Sequence, residues 1–115
     1  MPGDFSLRLV GEGFDNEDGS SRQEEIARCQ EGEAVDLVRE PDNPHDPSAV
    51  AVFSDRGVRI GYLGADRCGW IGSKIDRGYD VRAAIGRIMR AGQAGYLGVL
   101  LRVNLQGEEP GPSEG

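Results

Sequence analysis

Short segments of alternating apolar and polar residues, and one short apolar run between turn residues, predict β-strands along most of the chain. The predicted strands cover residues 5–11, 34–40, 48–55, 58–64, 79–90 and 96–105. The alternation is clearest in the last segment, where Leu97, Val99, Leu101, Val103 and Leu105 all fall on one side of a strand. The glycine residues of the sequence fit the tight turns between such strands.

Two short helices are predicted between the strands. Ser20 or Ser21 can cap a helix over residues 22–29, with acidic residues in its first turn. Apolar positions at helical spacing predict a second helix over residues 66–78. The element order βαβββαββ is not that of a doubly wound parallel sheet. It indicates a mainly β (α+β) fold, either a small curled sheet or a partly open barrel of six strands with two short helices.

The net charge of −7 is unevenly distributed along the 115 residues. Residues 1–33 hold three arginines against nine acidic residues, and residues 106–115 hold three glutamates and no base. Residues 34–105 hold ten basic and eight acidic residues, a charge of +2. The length fits a single domain, followed by a disordered acidic tail at 106–115. Such a chain lacks strong general attraction to phosphate, so any nucleic-acid binding should be local and depend on shape.

Several classes of function are excluded by composition. No apolar run is long enough to cross a bilayer, and the first residues have no secretory signal, so we expect a cytoplasmic protein without membrane association. Two cysteines and one histidine cannot form a four-ligand zinc site. No nucleophile–base pair and no phosphate-binding glycine motif is recognisable. We therefore expect no enzyme activity, no cofactor and no metal.

The stretch EPDNPHDP, residues 40–47, has three prolines at three-residue spacing, separated by hydrogen-bonding residues. The prolines fix their own φ and bias the residues before them to extended geometry, which makes a stiff ledge. Its polar side chains would lose little entropy on binding a ligand. Alternatively, they only cap local turns. A PxxP ligand is disfavoured because flanking strands tether the segment, and a divalent-cation site because the side chains would point in different directions.

The sequence LVREPDNPHDPSAVAVFSDRGVRIGYLG, preceded by SSRQEEIARCQEGEAV, resembles the HIRAN domain. The resemblance runs from about residue 11 to residue 105 and rests on an Arg-acid-Pro step, an x-Asn-Pro-x-Asp motif and the strand IGYL. It implies a HIRAN-like, OB-type barrel domain over residues 1–105. It also implies a non-enzymatic module that captures the free 3′ end of single-stranded DNA, in repair or replication.

The resemblance also implies roles for the ledge residues. Asp46 would accept a hydrogen bond from the terminal 3′-hydroxyl, which a carboxylate does well and which would disfavour a 3′-phosphate. Asn43 and Asp42 would line the same pocket. His45 stands where the family commonly has a tyrosine that packs on the terminal nucleotide.

Three further residues complete the implied nucleic-acid site. Arg22 matches a basic residue that meets phosphate or base, Tyr62 a residue that contacts the backbone, and Tyr96 a second base-stacking aromatic. The sequence departs from the family pattern at His45, at Asp42 (often Asn) and at Ala65, where the family can have lysine. These departures remove stacking surface and positive charge, so weaker DNA binding is expected.

A protein-interaction module is the alternative function. In that hypothesis the barrel binds a larger helicase or nuclease, DNA binding has been lost, and the ledge is kept for capping. Trp70 on the second helix is either an anchor for such a partner or a residue at the edge of the core. The two hypotheses differ in whether Asp42, Asn43 and Asp46 face one rim or bond inward to backbone amides.

Overall fold

The computed structural model describes residues 4–92 and 95–111 of the chain. Six strands and two helices follow one another in the order βαβββαββ, as the sequence pattern predicted. The elements are β1 (Asp4–Val10), α1 (Arg22–Arg28), β2 (Ala34–Arg39), β3 (Val50–Phe53), β4 (Arg59–Leu63), α2 (Ala65–Asp76), β5 (Arg82–Ala91) and β6 (Tyr96–Asn104). Both helices begin within one residue of their predicted starts.

The six strands form a closed antiparallel barrel in the order β1-β4-β3-β2-β5-β6. This confirms the mainly β, OB-like fold, although the sequence pattern suggested a partly open barrel. Closure comes from β1, which pairs with β6 along residues 4–8 and with β4 at Leu9 and Val10. One strand thus joins the two sheets and closes the barrel.

The core is filled by the inward residues of each strand. Val99, Leu101 and Val103 of β6 are fully buried, as their alternation predicted, whereas Leu105 lies beyond the end of β6 and is partly buried. Burying each such aliphatic side chain contributes about 1.5–3 kcal/mol, so the alternation in β6 accounts for a large share of the barrel's stability.

Helix α1 is fixed at its start and along its buried face. Ser21 is the N-cap, and its hydroxyl accepts a hydrogen bond from the Glu24 amide at 3.1 Å. The buried Glu25 carboxylate accepts hydrogen bonds from the Ser54 hydroxyl at 2.6 Å and from Arg56 Nε at 2.7 Å. These bonds attach α1 to the β3–β4 hairpin. They also hold the loop that precedes α1 against the barrel.

Helix α2 places Cys68 and Ile71 in the core, as the helical spacing predicted. Trp70 remains 44% exposed, and its ring lies 5.4 Å from that of Phe5 on β1. The helix follows β4 directly, with Gly64 as its N-cap. Its first turn therefore lies close to the ledge between β2 and β3, because β3 and β4 are neighbours in the barrel.

The chain after β6 folds back on the barrel as far as the structure describes it. The Gly111 amide donates to Asp4 Oδ2 at 2.7 Å, and Glu109 forms an ion pair with Arg82 at 3.2 Å. The rest of the predicted tail, residues 112–115, lies outside the described residues. Within the described part, no helix has the length and apolar character required to span a membrane.

Candidate functional site

An open cavity of about 910 Å³ lies where the ledge faces the end of β1 and the start of α2. The ledge, residues 40–47, forms one wall, and the loop between β1 and α1 forms the opposite wall. Of the seven residues predicted to bind nucleic acid, six line this cavity: Arg22, Asp42, Asn43, His45, Asp46 and Tyr62. The fold therefore brings together residues that are up to 40 positions apart in the sequence.

The ledge is organised by Asn43. Its side-chain oxygen accepts hydrogen bonds from the amides of His45 at 2.9 Å and Asp46 at 3.1 Å. Its amide group donates to Glu40 Oε1 at 3.0 Å. These bonds are the turn-capping pattern that asparagine favours, and they hold the ledge in one conformation. Asn43 therefore has a structural role whether or not a ligand binds.

Asp46 also caps a turn but keeps acceptor capacity. Its Oδ1 accepts the Ser48 amide at 2.8 Å, and its Oδ2 lies 3.7 Å from the Cys68 thiol. Burial raises the pKa of that thiol, and the negative charge of Asp46 raises it further. The thiol is therefore protonated and is a weak donor. A carboxylate offers about four acceptor positions, so Asp46 can accept another hydrogen bond from a ligand.

Asp42 and His45 line the cavity, and both are exposed. Both project from the proline-stiffened ledge, where a ligand in the cavity can meet them. Within residues 4–92 and 95–111, no group of three or more His, Cys, Asp or Glu residues is placed to hold a metal ion. Asp42, His45 and Asp46 thus share a wall of the cavity without forming such a cluster.

The floor of the cavity is a fixed network around Tyr62. Its hydroxyl donates to Glu40 Oε1 at 2.9 Å, and Glu40 Oε2 lies 3.4 Å from Arg59 Nη2. The guanidinium groups of Arg22 and Arg59 stand 5.4 Å and 5.7 Å from the centre of the tyrosine ring. Partial burial, together with the bond to Glu40, raises the pKa of Tyr62. The phenol therefore remains a neutral donor whose orientation is set by its neighbours.

Arg22 is only 7% exposed and serves mainly to hold the wall opposite the ledge. Its Nε donates to Asn16 Oδ1 at 2.8 Å and its Nη1 to the Gly11 carbonyl at 2.8 Å. The Asn16 amide group in turn donates to the Arg59 carbonyl at 2.9 Å. The expected contact of Arg22 with phosphate or base would therefore have to use the part of the guanidinium that these bonds leave open.

Tyr96, the seventh predicted residue, is not among the residues that line the cavity. It begins β6, is 42% exposed, and lies against the loop after β1. A Cβ at Gly13 would come within 3.1 Å of its ring, so Gly13 permits this close approach. Burial and a hydrogen bond to Glu12 raise the pKa of Tyr96.

Phe14 was not singled out in the sequence, yet it lines the cavity and is 72% exposed. It lies in the polar, glycine-containing loop GEGFDNEDG, residues 11–19. The sequence offered one signal for a functional role of Phe14: it is the single aromatic residue in an otherwise polar loop. The loop itself is held by Asn16, so Phe14 is presented from a fixed position.

Comparison with known proteins agrees with this architecture. The chain is similar to the crystal structure of the HIRAN domain of human HLTF, with 19% identity, a TM-score of 0.63, and coverage of 88% of this chain and 73% of that chain. A protein from Lactobacillus plantarum gives 21% identity, a TM-score of 0.65, and coverage of 89% and 99%. No curated protein matches the sequence.

The HIRAN domain family model matches residues 11–106, which include both walls of the cavity and five of the six strands, all except β1. This match supports a general assignment as a DNA-binding domain. The chain belongs to the HIRAN domain family.

Proposed function

We propose that the cavity captures the 3′-hydroxyl end of single-stranded DNA. The observation that carries the proposal is Asp46, a carboxylate in the cavity wall with one oxygen engaged by a backbone amide and the other 3.7 Å from a thiol, a weak donor. A terminal hydroxyl would donate to this second oxygen in a charge-assisted hydrogen bond. The proposal includes a role in DNA repair or replication and a cytoplasmic location.

The charge of the cavity favours a hydroxyl end over a phosphorylated end. Four carboxylates line it, those of Glu17, Glu40, Asp42 and Asp46, against three arginines. A 3′-phosphate placed against Asp46 would bring two further negative charges into this wall. A hydroxyl adds no charge and finds an acceptor already in place. The cavity should therefore discriminate between ends by electrostatics rather than by size.

Stacking supplies the sequence-independent part of the binding. Phe14 and His45 lie on opposite walls, and each offers a ring to a base at the mouth of the cavity. Stacking of a base on an aromatic side chain contributes about 1–3 kcal/mol and does not depend on which base is present. With phosphate attraction offset by the carboxylates, we expect modest affinity and a weak dependence on salt.

A protein-interaction module remains the second candidate, and Trp70 is the observation that favours it. Its ring is exposed beside Phe5, away from the cavity, where it is available to a helicase or nuclease partner. The inward bonds of Asn43 and Asp46 agree with the capping role that this hypothesis assigns to the ledge. The DNA-end test below separates the two candidates.

The test compares a short fluorescent oligo-dT with a 3′-hydroxyl and the same oligonucleotide with a 3′-phosphate, by anisotropy at low salt. Asp46→Asn keeps an oxygen for the Ser48 amide but loses the charged acceptor. A hydrogen bond to a charged group contributes about 1.5–3 kcal/mol, so we expect the wild type to prefer the hydroxyl end by about tenfold or more. The variant should lose that preference.

Asp55→Asn is the matched control, because it removes the same charge from an exposed turn outside the cavity. It should keep the preference for the hydroxyl end. Equal binding of both ends by the wild type, or no binding of either at tens of micromolar protein, would contradict end capture. The second result would favour the protein-interaction module.

A further inference from the structure

The outward face of β1 leads directly away from the cavity. Residues alternate in this strand, so Ser6, Arg8 and Val10 point outward, and all three are exposed. Val10 lines the cavity. Arg8 follows on the same face two residues away, at about 7 Å given the rise of an antiparallel strand. A DNA strand that leaves the cavity over Val10 would therefore reach the Arg8 guanidinium next.

Basic side chains continue across the two neighbouring strands. Arg8 is paired with Leu100 of β6, and Leu100 is paired with Arg87 of β5, so the three side chains form one outward row. Gly98 lies next to this row, and a Cβ there would stand 3.8 Å from Arg8 Nη2. Gly98 itself is buried, with Arg8 and Met89 against it, so the missing side chain lets the Arg8 guanidinium lie close to the sheet. The outward row therefore carries the exposed guanidinium of Arg8, with the half-buried Arg87 beyond Leu100.

Tyr96 joins this surface to the loop that carries Phe14. Its ring packs on Gly13, next to Phe14 in the chain, and Tyr96 lies on the same side of β6 as Gly98 and Leu100. The positive charge of Arg8 is near enough to act on the Tyr96 phenol. The exposed Tyr96 ring and the Arg8 guanidinium therefore lie near each other on the outward face of β1 and β6.

The acidic residues that border this surface are engaged in structural bonds. Asp4 accepts from Asn104 Nδ2 at 2.8 Å and has Arg102 Nη2 at 3.7 Å. Glu31 accepts the Ile88 amide at 3.1 Å. In the part of the chain that the structure describes, Arg8 has no ion pair with a carboxylate.

We infer that this surface, the arginine strip formed by Arg8, Arg87, Leu100 and Tyr96, guides the phosphate backbone of the single-stranded DNA whose 3′ end lies in the cavity. The inference rests on the proposed function and adds a second contact region to it. Arg8 would meet a phosphate, and the exposed Tyr96 ring would stack a base. It also gives a nucleic-acid contact to Tyr96, which lies outside the cavity.

Oligonucleotide length tests this inference. End capture uses one 3′ end per molecule, so the cavity alone would bind dT3 and dT12 equally well. The strip predicts tighter binding of dT12, and a steeper fall of affinity with salt. Arg8→Gln should remove most of this gain and lower the salt slope for dT12 by about 0.7, the value for one phosphate contact in single-stranded DNA. Binding of dT3 should be unchanged.

Arg28→Gln is the control, since it removes one exposed arginine from α1, outside both the strip and the cavity. It should retain the gain for dT12. Equal binding of dT3 and dT12 by the wild type, with the 3′-hydroxyl preference intact, would overturn the strip and leave end capture standing. Binding of dT12 that depends on Arg8 but not on the state of the 3′ end would support the strip and overturn end capture. No binding of either oligonucleotide would overturn both.

Discussion

Phe14→Ala tests whether the cavity uses an aromatic platform that only the structure revealed. The ring is 72% exposed, so its removal takes little apolar area out of the fold. Surface substitutions of this kind usually change the free energy of unfolding by less than about 0.5 kcal/mol. The loop should survive, because Asn16 holds it through its bonds to Arg22 and to the Arg59 carbonyl. A loss of DNA binding would then report on the ring itself.

The expected loss follows from the energy of stacking. One base on one aromatic face contributes about 1–3 kcal/mol, which corresponds to about a fivefold to 150-fold increase in Kd. The assay is anisotropy with the 3′-hydroxyl oligo-dT, together with thermal unfolding of each variant. Phe14→Tyr should bind like the wild type, because the ring is retained. Tyr79→Ala removes another exposed aromatic, outside the cavity, and should bind normally.

An unchanged Kd for Phe14→Ala, with an unchanged melting temperature, would refute the reasoning. It would mean that the exposed ring does not meet the DNA. A large fall in melting temperature would refute the separate claim that Phe14 contributes little to the fold.

Three other substitutions test particular contacts. Glu25→Ala leaves the buried Ser54 hydroxyl without its acceptor and should cost about 1–3 kcal/mol of unfolding free energy in urea, whereas an unchanged midpoint would show that the bond contributes nothing. His45→Tyr enlarges the stacking surface and should tighten oligo-dT binding several-fold in anisotropy. The hydrogen bond from Arg39 lowers the pKa of Asp76 below 3.8, so its stabilising contribution is present above that pH and is lost as the pH falls further. Asp76→Asn should therefore make the melting temperature fall less steeply in acid, and an unchanged slope would contradict this.

Local patterns were sufficient to predict the elements of the barrel. The inward residues of β6 follow a strict alternation, and the cap of α1 is one of the two serines that the sequence offered. Closure was not predictable in the same way, because it depends on β1 pairing with two different strands. Gly61 shows why: a Cβ there would stand 2.6 Å from the Val10 carbonyl, a contact between residues 51 positions apart. Such approaches are properties of the folded chain and leave no local pattern.

The candidate site was predicted unevenly for the same reason. The ledge residues are neighbours in the sequence, so their shared wall followed from the motif. The placing of Arg22 and Tyr62 opposite them came only from the resemblance to HIRAN domains. No pattern in the sequence indicated that Arg22 would donate its hydrogen bonds to the loop after β1. Nor did any pattern indicate that Tyr96 would lie outside the cavity. Those outcomes depend on how α1 and β6 pack on the barrel.

The ledge can serve both capping and the proposed binding, so the two interpretations of the motif are compatible. The Asn43 side chain uses its oxygen for two amides and its nitrogen for Glu40, which leaves it little to offer a ligand. Asp46 uses one oxygen for a cap and keeps the other beside the weak Cys68 donor. The cap prevents the carboxylate from rotating, so its second oxygen is directed before a ligand arrives. Preorganisation of this kind lowers the entropy cost of binding. The bonds that cap the ledge are therefore the ones that would make Asp46 an effective acceptor.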